Sequence, residues 1–447
     1  MCLASKISLA EKFKLLRKAN GITQEVIAQE LDCVKSRICE IEKGKKEYEP
    51  YEIPILKKLL CVENAPILED EITNYINQLE LWQGYIKDLR MEEAKKIYEE
   101  LSVITKLSYE KDLNFNYRMI EAKLLMRMEE IPSAEEVLEN SKSLLREVSE
   151  INVYHYYLNM GMLNFYKGDH ETSKKFYKTA DDIEIEGYEK DDSLTYNLGL
   201  CYTRLGMSTM AIITLLEIYN KFSHNNTSVL GLYLDNTLAV NYIRIGKDKP
   251  AKKLLEKALA RAKAQCNKIY TGHALQNLGC AYRLAKDYKK AIEYFDQSLR
   301  HYEVGDKYYL DVIYEKIICL IADGKKESLC QPLLLRGTEL SKSNEQFQIL
   351  FQSLSHLLSL DNTSAEYIKD ETIPWLIKKH DLAKALYFCN KLIEYYTSKN
   401  SQKNKSEVIE KKSVILEKMI FGGEIKNAKK IYSHCNFNCG FCFFYKP

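Results

Sequence analysis

Apolar residues recur at helical spacing from Leu275 to Leu284 and again from Tyr288 to Leu299, and the polar pair Lys286-Asp287 separates the two runs. That pattern predicts a helical hairpin, with Asp287 as the N-cap of its second helix. Counted from Gly279, an aromatic (Tyr282) follows three residues on, an alanine (Ala291) twelve on and a large apolar residue (Phe295) sixteen on. Gly199 opens another copy with Tyr202, Ala211 and Leu215, and Ala239 a third with Tyr242, Ala251 and Leu255. Gly161 opens a fourth with Ser173 and Tyr177, although Asn164 replaces its aromatic. Weaker copies surround Ala122 (Ala134, Leu138) and Trp82 (Tyr85, Ala94, Tyr98). Self-similarity at 38 to 40 residues predicts stacked units, none of which buries its apolar face alone. The small residue suits the closest approach of two helices, and the large ones fill the space beside it. Gly168, Gly206 and Gly246 read as helix stops, and Asp169, Ser208 and Asp248 as caps of the helices that follow.

These offsets resemble the Leu-Gly-x-x-Tyr, Ala and Phe signature of the tetratricopeptide repeat. The resemblance implies an all-α chain wound as a right-handed superhelix across 67-433. The signature decays after about residue 305, since Gln331 stands where the alanine would be. Segments 346–360, 366–379, 382–397 and 406–420 still read as helices that cap the stack or make a dimer surface.

The first 64 residues follow another pattern. Phe13, Leu16 and Ala19 share a helical face, Asn20-Gly21 stops that helix, and Thr23 caps a second whose apolar positions are Val26, Ile27 and Leu31. A short turn leads into a third helix, Lys35 to Glu42, ended by Gly44. Two short helices joined by a tight turn are the helix-turn-helix plan. Ile22-Thr23-Gln24-Glu25-Val26-Ile27-Ala28 and Ile38-Cys39-Glu40-Ile41-Glu42-Lys43-Gly44 resemble the phage-repressor-like helix-turn-helix family. By family position, Gln24 and Arg37 are expected on phosphates and Lys35, Ser36 and Glu40 on base edges, with Lys43, Lys45 and Lys46 extending the phosphate contact. Cys33 and Lys35 depart from the residues the family often has there. Asn64-Ala65-Pro66 reads as a linker.

Composition changes this picture little. The chain has 447 residues, 46% of them hydrophobic and 29% charged, which is ordinary for a soluble protein and too long for one compact core. A formal net charge of +2 provides no overall field for nucleic acid, so DNA binding needs a local patch. No signal peptide or membrane span is legible, and most of the 13 cysteines are isolated in helical patterns, as suits a reducing cytoplasm.

In the tetratricopeptide resemblance the first helix of each unit lines a concave face, and the residue two before the small one points inward. Those residues are Asn159, Asn197, Thr237 and Asn277, with Asn236 and Gln276 one residue earlier and Arg204, Arg244 and Arg283 further along. A carboxamide ladder can pair the backbone of an extended peptide, and arginines beside it can take a carboxylate. Tyr233 and His273 are expected to line the same groove.

A helix-turn-helix followed by such repeats resembles the peptide-pheromone regulators of Gram-positive bacteria, the RRNPP group, and its NprR-like members by length. The resemblance implies a cytoplasmic homodimeric transcription factor, not an enzyme and without a cofactor, whose affinity for a double-stranded DNA operator is set by a short signalling peptide. A sequestering scaffold acting on a phosphorelay partner is the alternative. In the Cys-rich tail, 434-447, Cys435, Cys439 and Cys442 have the spacing with which radical SAM enzymes hold an iron–sulfur cluster. Only five residues follow, so the barrel such chemistry needs is missing, and no metal is expected.

Overall fold

The computed structural model describes residues 7–88, 90–103, 110–222, 228–324 and 327–421, and among them every regular element is helical. Cys435, Cys439 and Cys442 lie outside the described residues. By its contacts the chain divides into two compact units, Met1–Lys190 and Asp191–Pro447.

The first unit opens with α1 (Leu9–Ala19), α2 (Gln24–Glu30), α3 (Lys35–Glu42) and α4 (Glu52–Leu59). Each boundary has a local cause. Thr23 accepts the Val26 amide at the start of α2, and Gly21 and Gly44 take positive φ just after α1 and α3. Three hairpins follow: α5 (Glu69–Lys87) with α6 (Met91–Ser102), α7 (Lys111–Arg127) with α8 (Ile131–Ser141), and α9 (Glu150–Tyr166) with α10 (His170–Asp182). The 64–67 boundary read from the sequence is not a loose tether. Val62, Ala65 and Ile67 are buried, and one apolar core runs from Phe13 through Trp82 to Leu124. Lys12, itself buried, reaches the Ile67 carbonyl at 3.2 Å and Glu110 at 3.1 Å, fastening α1 to the repeats of its unit.

The second unit is α11 (Asp192–Arg204), α12 (Ser208–Phe222), α13 (Val229–Arg244), α14 (Asp248–Ala264), α15 (Lys268–Leu284), α16 (Tyr288–Leu299), α17 (Lys307–Ala322), α18 (Glu327–Leu340), α19 (Glu345–Leu358), α20 (Asn362–Tyr367), α21 (Ile373–Lys378), α22 (Leu382–Ser398) and α23 (Gln402–Phe421). A π-turn, Ile368–Thr372, bridges α20 and α21 just ahead of Pro374, whose ring cannot donate to the helical ladder. The small positions do what the spacing requires. A Cβ on Gly199 would stand 2.5 Å from Leu215 and one on Gly279 2.5 Å from Phe295, the partners sixteen residues on. Two expected caps fail: Ser208 is buried inside the first turn of α12, and Asp248 lies in the first turn of α14, where it pairs with Lys252. The last hairpin packs back on the first: α23 meets α12, and a Cβ on Gly206 would stand 2.8 Å from Leu382.

Candidate functional site

The charges of the first four helices are largely paired with one another. Arg37 of α3 is held in a bidentate pair with buried Glu52 at 2.5 and 3.0 Å, and the Glu49 amide also donates to that carboxylate. Burial alone would raise the Glu52 pKa, but Arg37 and the Glu49 amide outweigh it and hold it below the usual range. Gln24 donates to Glu42 at 2.7 Å, and Arg17 grips the same carboxylate. Both residues expected on phosphates therefore lock the module from inside. Each finds a carboxylate from another segment, which sequence spacing did not show. Lys35 and Ser36 are exposed, Lys35 meeting Glu25 at 3.1 Å. Glu40 pairs with Lys46 at 2.7 Å, and among the described residues no carboxylate pairs with Lys43 or Lys45.

The expected carboxamide ladder splits in two. Asn159 is 3% exposed, and its Nδ2 donates to the Met119 carbonyl at 2.7 Å, one repeat back. It is a staple between helices and not part of a groove. Asn152 does the same toward Asp112, and Asn241 toward Thr203. These asparagines were missed because they lie away from the signature, although their partners again lie about one repeat back. Asn277 donates to Asn236 at 3.0 Å, Gln276 is buried on Asp311 at 2.6 Å, and Arg244 donates to the Thr203 carbonyl at 2.5 Å. Arg283 pairs with Glu315 at 3.0 Å. By contrast, Asn197 is half-buried, Arg204 is exposed, and among the described residues neither has a polar partner.

The inner residues of α13, α15 and α17 face α22 across a cavity of about 330 Å3, with Asn277, Arg244 and Arg283 on one side and Asp381, Lys384 and Tyr387 on the other. Its charges are balanced. Lys384 lies 2.9 Å from Asp381 and 3.5 Å from Asp311. Burial opposes the charge on Lys384, yet Asp381, Asp311 and Glu315 outweigh it and raise its pKa. A ligand carboxylate entering here would compete with carboxylates already in place.

Beside this cavity runs a feature that the sequence reading only touched. Tyr196, Tyr233 and Tyr270 recur every 37 residues, with Tyr308 next, and their rings form a half-exposed stripe across α11, α13, α15 and α17. Centroids are 6.1 Å apart for Tyr196–Tyr233 and 4.7 Å for Tyr233–Tyr270. His273 continues the stripe, 5.3 Å from Tyr270 and 4.7 Å from Tyr308. Burial brings the His273 pKa down to about 4, Asp311 opposing the shift and Arg204 adding to it. The ring is neutral at pH 7, and its buried Nε2 meets no hydrogen-bond partner among the described residues. The 37-residue tyrosine period was the available signal. Among the described residues, no three His, Cys, Asp or Glu side chains gather as metal ligands, and no helix is long and apolar enough to cross a membrane.

Helical hairpins repeating around a small–large packing pair define a tetratricopeptide-repeat protein, and models of the tetratricopeptide repeat match residues 229–303 and 154–184. The transcriptional activator NprA of Geobacillus stearothermophilus is 22% identical over 375 residues, covering 79% of this chain and 89% of its own. Response regulator aspartate phosphatase A of Bacillus subtilis (strain 168) is 26% identical over 311 residues, covering 64% and 80%. The apo form of the quorum sensor NprR from B. thuringiensis superposes with a TM-score of 0.61 at 20% identity, over 78% of this chain and 99% of that one. NprR in complex with its cognate peptide NprX gives 0.59 at 20% identity, over 79% and 99%. In its repeats and its fold the chain is similar to these regulators and quorum sensors.

Proposed function

We propose that this chain is a cytoplasmic, homodimeric transcriptional regulator whose operator binding is set by a short signalling peptide. The observation that carries the reading is the coexistence in one chain of a helix-turn-helix with an exposed third-helix face and a repeat unit with a half-exposed aromatic and carboxamide inner face. Residues 1–64 supply the DNA contact and 67–433 the receptor. Lys35, Ser36 and Glu40 face base edges, and Lys43 and Lys45 hold phosphates while Arg37 and Gln24 keep α3 in place. The peptide lies extended over the tyrosine stripe, with Asn197 on its backbone and Arg204 taking a carboxylate. The likeness to a response regulator aspartate phosphatase supports a second reading, in which the repeats sequester a phosphorelay protein.

Sheared genomic DNA captured by the purified protein, with and without synthetic peptides from small neighbouring reading frames, separates the two. A near-palindrome with half-sites about one helical turn or a multiple apart is expected, with a yield that one peptide changes. No enriched site in either state would remove the DNA-binding reading and leave the sequestering one.

A further inference from the structure

Far from the tyrosine stripe in chemical character, the second unit carries a depression of about 390 Å3 where the end of α14, the start of α15 and the end of α16 meet. Its walls hold Lys263, Lys268, Arg300 and His301 beside Cys266 and Thr271, and no lining residue is acidic. Among the described residues, no carboxylate pairs with any of these four basic groups, although the chain as a whole is nearly neutral. Two other basic groups of this unit are matched, Lys384 by Asp381 and Arg261 by Asp235. The Asn267 side chain caps α15 through the Tyr270 amide, and its carbonyl takes the Thr271 amide. Those of Lys268 and Ile269 meet no acceptor among the described residues, so the positive end of the helix adds to the same field. His301 has a buried Nδ1 without a hydrogen-bond partner among the described residues, and its proton affinity is lowered by burial and then by Lys268 and Lys263.

We propose that this depression is a binding site for a small phosphate-bearing metabolite of nucleotide size or less. A phosphoryl group carries enough charge to satisfy two lysines and an arginine together, and its tetrahedral oxygens can accept from Nζ, guanidinium and helix amides at once. The volume falls within the range of small-molecule sites, and Leu275 and Cys266 supply an apolar edge for the organic part. None of the tyrosines of the stripe lines this depression, so it constitutes a second input to the molecule.

Titration calorimetry of the full chain with inorganic pyrophosphate at about 0.15 M salt, where diffuse surface attraction is largely screened, tests the assignment. Saturable binding is expected, and the double variant Lys263→Gln, Arg300→Gln is expected to weaken it by about tenfold or more. The double variant Lys253→Gln, Lys289→Gln removes the same charge from exposed positions of α14 and α16 outside the depression, and retains wild-type affinity. Thermal melting of both variants separates lost binding from lost fold. No heat of binding to wild type, an equal loss in the control, or equal affinity for citrate would each overturn the proposal. So would a Lys263→Gln, Arg300→Gln protein that loses operator DNA while pyrophosphate leaves wild type untouched, since the patch would then be a DNA-backbone contact.

Discussion

Asn159 and Asn197 occupy the same position of their repeats, one in each unit, and they do different work. Asn159 is sealed beneath its neighbours and donates to the Met119 carbonyl. Asn197 is half-buried with no polar partner among the described residues. The aromatic residues divide alike, since Tyr154 and Tyr156 of α9 are buried while Tyr196, Tyr233 and Tyr270 show one side to solvent. A repeat position therefore sets which helix a residue sits on and where it points. How closely the next hairpin approaches decides whether its polar atoms join two repeats or remain available to a ligand.

The comparison breaks most readily at the most buried polar pair. Arg261 and Asp235 meet at 2.6 Å with almost no exposure, and Arg261 also donates to the Phe222 carbonyl. Asp235→Ala takes the carboxylate away from a buried cation, which is expected to cost about 3–5 kcal/mol in urea unfolding. A change within experimental error would mean that the interior of the second unit is wetter than its packing implies. One step smaller, Asn159→Ala is expected to cost about 0.5–1.5 kcal/mol, because it removes a buried hydrogen bond to the Met119 carbonyl, and to leave peptide affinity alone. If instead affinity fell while the melting temperature held, the two asparagines would be alike and the division drawn here would be gone.

The pH dependence sharpens the same contrast. The unfolded chain protonates His273 near its ordinary 6.5, whereas the folded ring stays neutral down to about 4. Between those values the unfolded state binds more protons, so this group adds stability as pH rises and removes it as pH falls through the window. Asp311, Asp306, Arg204 and Lys307 are the charged groups that act on the ring. Comparing urea midpoints at about pH 7 and about pH 5, His273→Phe should show the smaller drop. An equal drop in both proteins would assign the acid sensitivity elsewhere.

The hairpins, the glycine stops and the first three short helices were legible because their causes are local: a small residue opposite a large one, a positive φ, a capping hydroxyl. Gly279 and Phe295 lie sixteen residues apart in one hairpin, and no distant information is needed to pair them. The site was less legible because its partners come from elsewhere. Arg37 looks available until Glu52 closes on it, and Gln276 and Arg283 look like groove residues until Asp311 and Glu315 of the next repeat meet them. The return of α22 opposite Arg244 is encoded in no local pattern, because it depends on how six hairpins accumulate their turn. The tyrosine stripe was readable, since its 37-residue period is written in the chain, but it runs beside the signature and not on it.

The smallest effect on stability, and the most informative on function, is expected at Asn197. Its side chain is half-buried and bonded to nothing among the described residues, so Asn197→Ala should shift unfolding by no more than about 0.5 kcal/mol. If the carboxamide pairs the backbone of an extended peptide, its loss forfeits hydrogen bonds that alanine cannot make, and the dissociation constant should rise about tenfold. Tyr233→Leu keeps an apolar side chain in the stripe but removes the ring that lies 4.7 Å from Tyr270, so it should weaken the same peptide. Calorimetry with the peptide that alters operator capture measures both. Wild-type affinity in the Asn197→Ala, Tyr233→Leu double variant would sink the inner-face site, and would shift the search to the cavity shared by Arg244, Arg283 and α22. There a ligand would first have to displace the Asp381–Lys384 pair, so binding should weaken steeply with salt if the peptide is anionic.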